Sequence, residues 1–101
     1  MAYVRDNLPR GTYTGLKGAM GTATSAGGNA VFDTGLSVIH HVTWYDTNQG
    51  TGGGYDFDNS TKRPPYNDTY FNIPTVSNGV ITLTGNLIQT GDTVEFWAVG
   101  E

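Results

Sequence analysis

An all-β domain, an antiparallel β-sandwich or barrel with an extended N-terminal arm, is the fold this sequence predicts, on three observations. Apolar residues recur with a period of two, and no segment of 11 or more residues keeps them at the 3.6-residue spacing of an amphipathic helix. Turn chemistry interrupts the chain at short intervals, at Asp33-Thr34-Gly35, Ser77-Asn78-Gly79 and Gln89–Thr93. Fifteen glycines and many threonines in 101 residues are poor material for helices.

Taken in order, residues 1–28 differ from the rest. They hold Pro9, six glycines and few large apolar groups, and read as an arm with short edge strands near Thr12–Thr14 and Thr22–Ser25. Such an arm orders against a partner. Residues 29–101 form the sandwich or barrel. Ala30–Gly35 is a short strand closing in a turn. Leu36–Asp46 is a long strand whose alternation sets Leu36, Val38, His40, Val42 and Trp44 on one face, with Ser37, Ile39, His41, Thr43 and Tyr45 on the other. Thr47–Asp68 is Gly-rich, polar and broken by Pro64-Pro65, so it is expected to be a long loop with at most a short hairpin near Tyr55–Phe57. Thr69–Pro74 is expected to be a strand stopped by its proline. Asn78-Gly79 makes a hairpin turn into the alternating strand Val80–Gly85, and Val94–Gly100 is the last strand. Phe32, Trp44, Phe71 and Phe96 are the natural core aromatics.

Size and composition bound the function. The length suits one domain with a shallow core. With no cysteine, disulfides and thiolate metal sites are excluded, and stability must come from elsewhere, self-association or docking being one source. The net charge of −4 argues against nucleic acid as a partner. It is uneven: residues 1–20 carry Arg5, Arg10 and Lys17 against Asp6 (+2), and the remainder carries Lys62 and Arg63 against eight acids (−6). No apolar run has the length of a signal peptide or membrane helix, so a chain made in a cytoplasm and without membrane contact is expected.

No catalytic or cofactor motif stands up. Neighbours on a strand face opposite ways, so His40 and His41 do not chelate one ion; His40 is expected in the core or at an interface, with a metal or pH-switch role as the weaker reading. Asp56, Asp58 and Ser60 resemble the start of a calcium loop, but Thr61 stands where glycine is needed and Asn67 where glutamate is needed. No pair of acids is marked out for glycoside hydrolysis. The glycine clusters Gly15/Gly18/Gly21 and Gly50/Gly52–Gly54 lack the following Lys-Ser/Thr of a phosphate loop. The chain is expected to be no enzyme and to hold no cofactor or metal. Contact residues remain. Tyr3, Arg5, Arg10, Tyr13 and Lys17 are candidates on the arm. Tyr55, Phe57, Tyr66 and Tyr70 either fold the loop over an incomplete core, or stand exposed to bind a protein or a glycan.

Thr34-Gly35-Leu36, then the strand Val80–Thr84, then Gly91-Asp92-Thr93 with Phe96–Gly100 form a layout that resembles the small β-rich structural proteins of tailed-bacteriophage virions. The likeness covers about two thirds of the chain and rests on strand and turn patterns. It implies a non-enzymatic particle protein on the capsid surface: a capsid decoration (cement) protein bound to the major capsid protein, with a homotrimer favoured. A head- or tail-fibre component that binds host glycans is the alternative. The arm and the Thr51–Asp68 insertion depart from compact members of that group.

Overall fold

The computed structural model describes residues 16–101. Eight strands follow in order: β1 (Lys17–Thr24), β2 (Asn29–Asp33), β3 (Ile39–Asp46), β4 (Thr51–Asp56), β5 (Thr61–Arg63), β6 (Thr75–Ser77), β7 (Val80–Thr84) and β8 (Thr93–Gly100). No helix occurs among the described residues. All pairings are antiparallel, in a five-stranded sheet ordered β1-β8-β3-β4-β5 and a three-stranded sheet ordered β2-β7-β6. The fold is all-β, as the period-two pattern predicts.

The core lies between the inner faces of the two sheets. Val42 and Trp44 on β3, Val94, Phe96 and Ala98 on β8, and Tyr55 on β4 meet Ala30 on β2 and Ile81 and Leu83 on β7, with Phe71 and Ile88 entering from loops. Three of the four expected core aromatics are buried, and the fourth, Phe32, is half-buried and stacks on Phe96 at 5.2 Å between ring centroids. Gly21 makes that stack fit: a Cβ there would stand 2.6 Å from Phe32 Cε1.

Four sequence expectations change. Lys17–Thr24, placed in the arm, is an edge strand paired along its whole length with Thr93–Gly100. The expected loop Thr47–Asp68 contains two strands, β4 and β5, with Gly52, Gly53 and Gly54 inside β4. Glycine is a weak strand former, but here Trp44 lies opposite Gly53, and a Cβ on Gly53 would come within 2.9 Å of Trp44 Cζ2. The indole needs the bare backbone. Thr69–Pro74 is no strand: Tyr70 and Phe71 both donate to Asn67 O, which turns the chain so that Phe71 enters the core, and a strand begins only after Pro74.

The fourth change is in β3. Its pairing with β8 slips between Ile39 and His41, so His40 is a bulge residue. The extra residue reverses the alternation upstream. Ile39 enters the core, Val38 is exposed, and His40 leaves the Val42/Trp44 face.

Candidate interaction surface

The outer face of the five-stranded sheet follows from register. Trp97 on β8 lies between Met20 on β1 and Thr43 on β3. One row on, Val99 lies between Gly18 and His41, and on the other side Glu95 lies between Thr22 and Tyr45. The row partners on β4 are Gly54 and Gly52, which leave the surface low beside Thr43 and Tyr45. Met20 is 75 % exposed, and Trp97, Tyr45 and Val99 are 40–42 % exposed. Met20, Thr22, Glu95 and Trp97 border a shallow groove on this face. An apolar cluster around an aromatic centre with a polar rim is the composition of a protein contact.

The two edges of this sheet differ. β5 has three residues and carries Lys62 and Arg63, charges that discourage further pairing. Lys62 binds Asp68 at 2.6 Å and lies 5.2 Å from the Tyr66 ring centre. β1 has seven residues of small or uncharged type after Lys17, and no strand among the described residues pairs with its outer edge, which runs next to the apolar face. Lys17, at its start, is the one candidate arm contact within the described residues. Tyr3, Arg5, Arg10 and Tyr13 lie outside them, as does the expected strand Thr12–Thr14.

The loop aromatics do not form an exposed contact set. Tyr55 is buried, and Phe57 and Tyr66 pack against the core. Tyr55 and Phe57 meet edge to face at 5.0 Å, and Tyr66 meets Trp44 at 5.7 Å. Burial, with the nearby Asp68 charge, pushes the Tyr66 phenol up to about 12. Tyr70 alone of the four is exposed, at 37 %. The physical reason is the glycine run: where β4 has no side chains of its own, Tyr66 and Trp44 fill the space over Gly53.

His41 keeps its expected face with Thr43 and Tyr45, whereas the β3 bulge takes His40 off the expected Trp44 face. His41 lies on the outer face, in register with Val99 and Asp56. His40 sits at the rim with both ring nitrogens engaged, Nδ1 with Asp58 Oδ1 at 2.9 Å and Nε2 with Glu101 Oε2 at 2.7 Å. The Asp58 and Glu101 hydrogen bonds raise its pKa above the usual histidine value. Neither nitrogen is free to bind a metal, and no cluster of three or more His, Cys, Asp or Glu able to hold an ion occurs among the described residues. Asp56, in the stretch that only begins like a calcium loop, accepts from Asn59 Nδ2 at 3.0 Å and Arg63 at 2.8 Å, which lower its carboxyl to about 2.

Sequence reasoning missed Met20, Trp97 and Val99 as surface residues. The signal was present: Glu95, Trp97 and Val99 alternate with Val94, Phe96 and Ala98, so one set had to face away from the core. Comparison with family models, curated proteins and solved structures finds no match for this chain.

Proposed function

We propose that the protein is a non-enzymatic structural component of a tailed-phage particle, a decoration (cement) protein that docks on the major capsid lattice as a homo-oligomer, with a trimer favoured. The observation that carries this reading is the exposed Met20–Trp97–Val99–Tyr45 face beside the open β1 edge. A cysteine-free domain with an uncovered apolar sheet face gains stability when that face is covered. An open edge strand can accept a partner strand by β-augmentation. Repetition on a lattice then turns modest contacts into strong binding.

The test is co-sedimentation with capsid shells stripped of this protein. Trp97→Ser and Met20→Ser are expected to weaken binding at least tenfold while leaving the far-UV circular dichroism unchanged, since both side chains point outward. Deleting residues 2–15, which spares β1, tests the arm separately. Binding by the Trp97→Ser variant equal to the parent removes the face from the docking site. Sedimentation velocity reads the oligomer.

One observation favours the alternative of a glycan-binding fibre component. Trp97 and Tyr45 flank Glu95 on a flat face, where a sugar ring could stack and hydrogen-bond. Glycan-array binding abolished by Trp97→Ser supports that reading; an array with no signal rejects it.

A further inference from the structure

At the end of the sandwich away from His40, three segments distant in sequence are tied together. Ser25 N–H donates to Asp92 O at 2.8 Å, Gly91 N–H to Ser25 O at 2.9 Å, and Thr47 N–H to Thr93 O at 2.9 Å. Thr93 N–H donates to Asn48 Oδ1 at 2.8 Å. Two carboxyl groups sit at the centre. Asp46 Oδ1 accepts from the Asn48 and Gln49 amides at 3.0 and 3.1 Å. Asp92 Oδ2 accepts from the Gln89 amide and from Gln49 Nε2, both at 3.1 Å.

One oxygen is left over. Asp46 Oδ2 is buried with no donor, in a residue that is 0 % exposed, and the Asp46 carboxyl lies within hydrogen-bonding reach of Asp92. Two buried carboxylates in contact, with no cation between them, would repel strongly. Among the described residues, the elements packed around them bring no compensating charge. β8 brings Thr93 and Val94, β4 brings Thr51, and β1 ends in Thr24, with Ser25 next in the chain. Glu95 pairs with Tyr45 on the outer face, and Asp33 lies at the far end of β2.

We propose that Asp46 and Asp92 share one proton, with Asp46 Oδ2–H donating to the Asp92 carboxylate, and that this proton latches the 24–26, 46–50 and 89–93 segments together. Burial first, and the Asp92 contact second, push the Asp46 carboxyl up to about 6. The hydrogen bond from Asp46 holds Asp92 below the usual carboxylate range. The raised group stabilises the fold below its unfolded pKa, and that contribution is lost as pH rises through about 6. Asp92, being lowered, adds stability that is lost only as pH falls through its depressed value. The latch is closed in mild acid and opens towards neutral pH.

Carboxyl-carbon NMR of the intact chain reads the proton directly. Asp46 is expected to titrate near 6; titration with ordinary aspartates below 4 overturns the proposal. Urea unfolding in a His40→Gln background, which removes the histidine whose pKa is raised by Asp58 and Glu101, gives the second reading. The unfolding equilibrium constant is expected to rise about tenfold between pH 5 and pH 8 from this pair. Asp46→Asn, whose amide donates permanently to Asp92, is expected to abolish that rise. An equal rise in the variant overturns the proposal. So does millimolar Ca²⁺ that restores the parent's stability at pH 8, because the gap would then be a cation site.

Discussion

Two hairpin turns carry nearly the same backbone design and opposite electrostatics. The turn after β3 starts at Asp46, and Asp46 Oδ1 accepts from the amides two and three residues on. The turn after β4 starts at Asp56, and Asp56 Oδ1 accepts from Asp58 and Asn59 in the same pattern. Each ends in a left-handed residue followed by threonine, Gly50 before Thr51 and Ser60 before Thr61. The second carboxylate oxygen makes the difference. That of Asp56 faces Asn59 and Arg63; that of Asp46 is buried against another acid. One aspartate is lowered to about 2 and the other raised to about 6. A local turn motif sets the backbone, and the tertiary neighbour sets the charge state.

The largest expected effect strikes the strand pair that both turns share. Trp44→Ala empties the space above Gly53 and is expected to destabilise by about 3–5 kcal/mol in urea unfolding. Gly53→Val drives a side chain into the same indole and is expected to cost about 1–3 kcal/mol. Next come the two aspartates. Asp46→Ala empties a buried site, leaves the Asn48 and Gln49 amides without their acceptor and frees Asp92, a loss of about 2–3 kcal/mol at pH 5. Asp56→Ala is expected to cost less, because water reaches its turn and replaces the lost acceptor. Equal losses would show that the backbone cap, not the surroundings, dominates both turns.

The pH profile separates the turns more sharply. Asp56 is lowered, so its contribution is present above about 4 and is lost as pH falls towards about 2. Asp56→Asn is expected to flatten the acid limb of stability against pH, below about 4, and leave the fall between about 4 and about 6 unchanged. In the His40→Gln background, Asp46→Asn is expected to flatten the fall between about 4 and about 6 and leave the contribution of Asp56 to the acid limb in place. Variants that flatten the same limb would contradict the contrast. The smallest effect lies at the last turn position, where Gly50 has φ 72° and Ser60 has φ 53°. Ser60→Gly is expected to gain about 0.5 kcal/mol by relieving a left-handed serine, and Gly50→Ser to lose about 1 kcal/mol, both read from thermal unfolding.

Much of the fold was legible from local signals. Val80–Thr84 and Val94–Gly100 alternate cleanly and sit next to Asn78-Gly79 and Gly91-Asp92, so pattern and turn chemistry agree on them. The glycine strand was not legible, because Gly52–Gly54 has no alternation to read and its justification is the Trp44 indole across the pair. The candidate face was half legible. Trp97 and Val99 follow from alternation along β8, whereas Met20 required knowing that Lys17–Thr24 pairs with that strand. The loop aromatics, which the sequence left between packing and contact, needed the same knowledge: Tyr66 packs inward over the bare backbone of Gly53, and Tyr55 is buried as a residue of β4.

The sequence by itself determined the all-β class, most strand positions and the turns, because these depend on backbone preferences and a two-residue period. Only the tertiary structure decided which way His40 points and what Asp46 carries. A single bulge moved His40 out of the core and between Asp58 and Glu101. Asp92 met Asp46 through the pairing of β8 with β3. Charge state follows burial and contact across the fold, and neither is written in the spacing of neighbouring residues.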